Sequence, residues 1–179
     1  MPDFIKSTSC LSSSLFISGG FTFNTNSDDA YNSDAFDIYG KTKYLGEVDN
    51  DNSLTLRASI LGPEISKFLG IYSWFMCSSK SVLGFNNAYF SGFSSIEFAN
   101  ILTKIIKEKF NISGVYHLSS HKISKFNLLV MIKEINNLKI EIIKSDNEIY
   151  DRTLNSEKFM KEIDYIAPTW EKMITELKL

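Results

Sequence analysis

Apolar residues recur along the chain in two kinds of pattern, short runs and helical repeats, and the two kinds alternate. Leu15-Phe16-Ile17-Ser18, stopped by Gly19-Gly20, predicts a short buried strand. Ahead of it, Pro2 to Ser14 predicts a helix with Phe4, Ile5, Cys10 and Leu11 as its apolar positions, weakened by its serines. Residues 24–36, rich in Asn, Ser and Asp, predict a polar loop, and Asp37 is placed to cap a helix that fades in Asp49-Asn50-Asp51-Asn52. Ser53 to Ser59 alternates and predicts a second strand, closed by Gly62-Pro63. An aromatic-rich helix is expected over 66–77 (Phe68, Tyr72, Trp74, Phe75), then a strand over Ser81–Phe85. Ser94-Ser95 with Glu97 opens an amphipathic helix to Lys109, with Phe98, Ile101, Leu102, Ile105 and Ile106 turned inward. Gly114–Leu118 predicts a third strand, and Ser124 caps a helix carrying Phe126, Leu128, Leu129 and Ile132. A short strand over Lys139–Ile143 and a terminal helix over Thr169–Leu179, after Pro168, complete the pattern. Strand and helix in alternation, with few hairpin turns, predict an α/β fold with a parallel sheet and helices on both faces.

Composition narrows the function classes. A chain of 179 residues with 44% apolar and 13% aromatic residues is long enough for a domain with a substantial core. No internal repeat or linker divides it, so a single domain over 1–179 is expected. A net charge of -2, with lysines interleaved among acids, gives no basis for nucleic-acid or anionic-membrane binding. Cys10 and Cys77 form neither a metal spacing nor a disulfide framework and are expected as free thiols. No apolar run reaches the roughly 18–20 residues of a membrane span, and Met1–Lys6 lacks the order of a secretory signal, so a cytoplasmic protein is expected. No Gly-x-Ser-x-Gly elbow and no ligand-spaced His/Cys/Asp cluster occurs, which argues against a hydrolase and a metal enzyme. His117 is expected as a hydrogen-bonded core histidine and His121 as a surface residue.

The candidate chemistry sits in Tyr39-Gly40-Lys41-Thr42-Lys43-Tyr44-Leu45-Gly46-Glu47. On a helix, Tyr39 and Lys43 share one face about one turn apart. An ammonium beside a phenol favours the phenolate and lowers a pKa that is ordinarily about 10. Such a phenol exchanges a proton with a carbonyl or alcohol oxygen near neutral pH. A packed aromatic followed by a solvated lysine is the plainer reading of the same spacing.

The stretch resembles the active-site helix of the extended short-chain dehydrogenase/reductases, and within them the dTDP-4-dehydrorhamnose reductase type. Further likeness lies in Leu54–Glu64, Ser73-Trp74-Phe75, Gly84–Asn87, Phe90–Ser95, Gly114–Phe126 and Asp151-Arg152-Thr153-Leu154. The resemblance implies a partial Rossmann-like core over 1–62 and substrate-binding segments with the last core strand over 63–179. It implies hydride transfer from NADPH or NADH to the keto carbon of a nucleotide-linked deoxyhexose. Tyr39 would be the proton donor, Lys43 would tune it, and Tyr39, Lys43 and Ser59 would bind the cofactor. Glu64, Trp74, Asn87 and Arg152 would line the sugar-nucleotide pocket. Trp74 as a core residue and Arg152 as a surface ion pair are the competing readings.

Two departures accompany the likeness. The family's Gly-x-x-Gly-x-x-Gly loop, which holds the pyrophosphate at a helix N-terminus, occurs nowhere in the sequence. Where the family has strand-Ser-Thr-Asp, this chain has Ile17-Ser18-Gly19-Gly20, with Gly19 in place of the catalytic hydroxyl. The expectation is a truncated reductase-like protein of weak or no activity alone. The alternatives are a non-catalytic sugar-nucleotide-binding or regulatory subunit, or a gene remnant. A second copy of the chain or a separate N-terminal half is the expected partner, across the edge of the strand at Leu15–Ser18.

Overall fold

The computed structural model describes residues 14–19, 38–65, 70–108 and 111–178. The expected helix at Pro2–Ser14, the loop over 24–36, the Asp37 cap, Cys10 and Phe68 lie outside the described residues.

In chain order the elements are β1 (Ser14–Gly19), α1 (Ile38–Leu45), β2 (Ser53–Ala58), β3 (Ile60–Leu61), α2 (Ile71–Met76), β4 (Val82–Phe90), β5 (Phe93–Ser94) and α3 (Ser95–Glu108). There follow β6 (Gly114–Leu118), β7 (Ile123–Ser124), α4 (Lys125–Ile135), β8 (Ile142–Arg152), α5 (Glu157–Glu162) and α6 (Trp170–Glu176). β1, β2 and β6 form a parallel sheet in the order β1-β2-β6. β3 and β5 make a short parallel pair, and β4 is the centre of a mixed sheet, antiparallel to β7 and parallel to β8. The α/β class and the parallel core expected from the sequence are both present.

β2 is buried at every position, where its alternation predicted one polar face. It lies between β1 and β6, and its polar residues are satisfied inside the protein. Thr55 Oγ1 donates to the Val48 carbonyl at 2.7 Å. The Arg57 guanidinium makes two bonds to Glu47, at 2.9 and 2.7 Å, and a third contact to His117 Nε2 at 3.0 Å. Since a guanidinium only donates, the histidine nitrogen accepts. His117 is thus the buried, hydrogen-bonded residue that the sequence predicts, and His121 is exposed.

The strand at β1 forms as expected, but its apolar residues are less covered than predicted: Leu15 is 39% and Ile17 50% exposed. Among the described residues β2 is its sole strand neighbour, so β1 is an edge. The expected Lys139–Ile143 strand begins later and runs much further, through Arg152. Its Ser-Asp-Asn-Glu centre disguised it: Asp146–Glu148 fall in an irregularity of the ladder, and β4 pairs with the strand on both sides of it, at Ser145 and Ile149. A register shift between Phe85 and Asn87 lets the two strands stay paired past that centre. Gly84 allows α4 to lie close on β4: a Cβ there would meet the Phe126 ring at 2.7 Å.

The caps expected at Ser94 and Ser124 are present. Ser94 Oγ accepts from Glu97 N at 3.2 Å, and Ser124 Oγ from Asn127 N at 3.2 Å. In α3, Phe98, Ile101 and Ile105 are buried, whereas Ile106, expected inward, is 67% exposed. α2, begun in the sequence reading at residue 66, starts at Ile71 within the described segment. One apolar cluster runs from Leu54 in β2 through Phe75, Phe93 and Ile101 to Phe159 and Met173. Each side chain of this kind contributes about 1.5–3 kcal/mol by leaving water. No described helix is long and apolar enough to cross a membrane.

Candidate functional site

Parallel α/β sheets bind ligands beyond the carboxyl ends of their strands. Here β1, β2 and β6 end at Gly19, Ala58 and Leu118, with Gly19 in register with Ala58 and Ala58 with Leu118. Directly after β2, Ser59, Ile60 and Leu61 form the floor of a cleft of about 640 Å³. That is within the usual range of small-ligand sites, about 300–1,000 Å³.

Each wall follows from local structure. Glu64 N donates to Ser73 Oγ at 2.9 Å, and the Glu64 carboxylate accepts from Gly70 N at 2.7 Å. These two bonds tie Glu64 to Gly70 and to Ser73 in the first turn of α2, and hold a carboxylate at the cleft wall. α2 buries Tyr72, Ser73 and Phe75, which turns Trp74 outward, 43% exposed, onto the same cleft. Trp74 is therefore a cleft residue with a solvent-facing side, not a core residue. From the other side, β4 contributes Leu83 and Phe85, and β8 contributes Tyr150 and Arg152.

Strand periodicity explains the β8 pair. Residues two apart share a face, so Tyr150 and Arg152 turn to the cleft together. Asp151 between them is bonded elsewhere, accepting from Lys122 Nζ at 2.5 Å and from Thr153 N at 3.0 Å. Burial on its own would raise the Asp151 carboxyl, but the hydrogen bonds from Lys122 and Thr153 outweigh it and hold the group below the ordinary carboxylate range. Lys125, first residue of α4, completes the wall with its ammonium 5.2 Å from the Tyr150 ring centre. The Arg152 guanidinium lies 5.0 Å from the centre of the same ring.

The structure thus brings together four residues singled out in the sequence: Ser59, Glu64, Trp74 and Arg152. Asn87 is not part of this wall; its amide reaches the Asp146 carbonyl and carboxylate at 3.5 and 3.4 Å. Tyr39 and Lys43 lie one turn apart on α1, as their spacing predicts, and Lys43 is exposed and outside the cleft wall. Tyr150 and Leu83 were missed; Phe85 and Lys125 lay in stretches of family likeness without being singled out. The signal for Tyr150 was its position two before Arg152; Lys125 gave none of its own beyond following the Ser124 cap.

No protein-family model and no curated protein matches the chain. Solved structures do. A dTDP-4-dehydrorhamnose reductase from Bacillus anthracis, in complex with NADP, superposes with a TM-score of 0.73 at 17% identity, over 91% of this chain and 63% of that one. A hypothetical dTDP-4-dehydrorhamnose reductase from Sulfolobus tokodaii gives 0.70 at 24% identity, over 88% and 61%. The fold is that of the dTDP-4-dehydrorhamnose reductases. A UDP-N-acetylglucosamine 4-epimerase from Methanobrevibacter ruminantium, in complex with UDP-N-acetylmuramic acid, shares it with a TM-score of 0.68 at 16% identity. The chain spans less than two thirds of the length of these reductases, 63% and 61% of the two named.

Proposed function

We propose that the chain is a sugar-nucleotide reductase-like protein whose described part builds the substrate cleft. The cleft carries this reading. An apolar and aromatic wall from Trp74, Leu83 and Phe85 meets two cations, Lys125 and Arg152, and one carboxylate, Glu64. A nucleotide-linked sugar has matching parts: a flat base for the apolar wall, a diphosphate for the cations, and ring hydroxyls for Glu64 and Ser59. The dTDP-4-dehydrorhamnose reductases and the epimerase with UDP-N-acetylmuramic acid that share the fold support the same ligand class.

Isothermal titration of the chain with dTDP and with UDP tests the proposal. Sub-millimolar affinity for at least one is expected, weakened at least about tenfold in Arg152→Ala, since hydrogen bonds to charged groups contribute about 1.5–3 kcal/mol. A folded protein that binds neither nucleotide at millimolar concentration overturns it.

The family chemistry that the likeness suggests is reduction of a 4-keto carbon. A nicotinamide dinucleotide, when bound, supplies the hydride. The donor set fits part of such a group. The exposed Lys43 ammonium suits ribose hydroxyls, and Ser59, at the end of β2, suits the nicotinamide end. No glycine-rich turn in the sequence suits the pyrophosphate. On this chain Tyr39 would give its phenolic proton to the carbonyl oxygen, with Lys43 lowering the phenol's pKa.

A second reading, a sugar-nucleotide-binding subunit without turnover, is favoured by Gly19. It closes β1 opposite Ala58, and glycine has no hydroxyl to offer a developing oxyanion. Loss of one such donor typically lowers a rate about 10²–10³-fold.

A further inference from the structure

Among the described residues, Glu64 is the only carboxylate on the cleft wall, and its neighbours fix where that charge sits. Its Oε2 accepts from Gly70 N at 2.7 Å, and its own N–H donates to Ser73 Oγ at 2.9 Å, so the residue is held at both its tip and its backbone. Gly70 leaves room for this arrangement. A Cβ there would stand 3.2 Å from the Glu64 Cδ and 3.4 Å from each carboxylate oxygen, so a side chain at position 70 would press on the carboxylate.

A carboxylate has about four acceptor positions and no donor. The Gly70 N–H takes one of them. The ion pairs among the described residues, such as Arg57–Glu47 and Lys122–Asp151, lie elsewhere, and Glu64 is in none of them. The cleft wall therefore carries a fixed negative charge with acceptor positions left for a ligand.

Such a group sorts ligands by sign as well as by hydrogen bonding. A hydroxyl facing it donates to it. A second carboxylate has nothing to donate, and it brings a like charge into a partly enclosed space, where repulsion is stronger than in bulk water. On the nucleotide-sugar reading, Lys125 and Arg152 meet the diphosphate and leave Glu64 to the sugar.

We propose that Glu64 makes this cleft select nucleotide-linked sugars with uncharged rings and reject those that carry a carboxylate, the uronic acids. The inference rests on the nucleotide-sugar reading of the cleft and adds to it the charge class of the sugar.

The test compares glucose with glucuronate, each linked to the nucleotide that the chain binds, UDP or dTDP. The two ligands differ only at the sixth carbon, a hydroxymethyl group in one and a carboxylate in the other. Titration calorimetry on the wild-type chain should show the glucose form bound at least about tenfold more tightly. Glu64→Gln keeps an oxygen that accepts from Gly70 N and removes the charge, and should narrow the ratio to about threefold or less. Glu64→Asp keeps the charge and gives up the reach to Gly70, and should retain most of the ratio. A Glu64 that serves only to tie Gly70 would give the reverse order. Equal binding of the two sugars by the wild-type chain, tighter binding of glucuronate, or a ratio that survives in Glu64→Gln overturns the assignment. If UDP or dTDP alone still binds in those cases, the cleft reading stands without it. Failure of the wild-type chain to bind either nucleotide, free or sugar-linked, removes both.

Discussion

At the scale of single residues, Arg57 is the side chain with the most at stake. It is fully buried in β2 and paired to Glu47, itself 6% exposed. Removing one member of a buried pair leaves an unbalanced charge away from water, which destabilises by about 3–5 kcal/mol. Arg57→Met should therefore lower the urea midpoint of unfolding by that equivalent, and Glu47→Gln should do nearly the same. Glu47→Leu combined with Arg57→Met should recover much of the loss, because well-packed apolar residues often replace such pairs without penalty. Three additive losses in these variants would refute this view of the pair. The sequence hid Arg57 in a simple way. A charge within an alternating strand reads as the solvent face, and nothing local says that Glu47, ten residues away, reaches it. His117, in contrast, was legible because it stood among Val115, Tyr116 and Leu118 in a compact apolar run.

At the scale of elements, strands and helices with their own turn and cap signals were legible: β2, β6, α3 and α4 fall where the pattern puts them. Elements created by a distant partner were not. β8 continues past its polar centre because β4 pairs again from Ile149 to Arg152, and β5 and β7 are two-residue strands with no periodicity to read. The cleft was half visible for the same reason. Glu64, Trp74 and Arg152 sit in stretches with a family likeness; so does Lys125, but it and Tyr150 matter only once α4 and β8 meet. β1 gives a testable consequence. One face of it presents Leu15 and Ile17 to solvent, and among the described residues its outer backbone edge has no strand neighbour; an apolar strand edge of this kind is a template for pairing with another chain. The wild-type protein is expected to associate at high concentration, with Ile17→Lys raising the monomer fraction on size-exclusion chromatography. A wild-type chain that stays monomeric at millimolar concentration would show that this edge is not a docking surface.

At the scale of the whole molecule, the proposed nucleotide-sugar cleft stands beside a given sequence in which no glycine-rich phosphate loop occurs. On that proposal, binding and turnover by this chain are separate questions. The 179-residue chain is expected to bind dTDP or UDP and to show no micromolar affinity for NADPH, followed by nicotinamide fluorescence. With a 4-keto sugar nucleotide and NADPH together, no turnover is expected. Measurable oxidation of NADPH that disappears in Tyr39→Phe would instead favour the catalytic reading.

Two of the three longer parallel pairings share a separation. Leu54 meets Gly114 and Val82 meets Ile142, each 60 residues apart in the chain. On a ribosome that adds about 5–20 residues per second, β2 waits roughly 3–12 seconds for β6, and β4 waits as long for β8. The two waits overlap, because β4 is made while β2 still lacks β6. For that interval the nascent chain carries β2 open on its β6 side, with β1 alone as its strand neighbour among the described residues, and the apolar end of β4 without β8. Yield in the cell should then depend less on the stability of the finished protein than on what shields those strands while the rest is being translated.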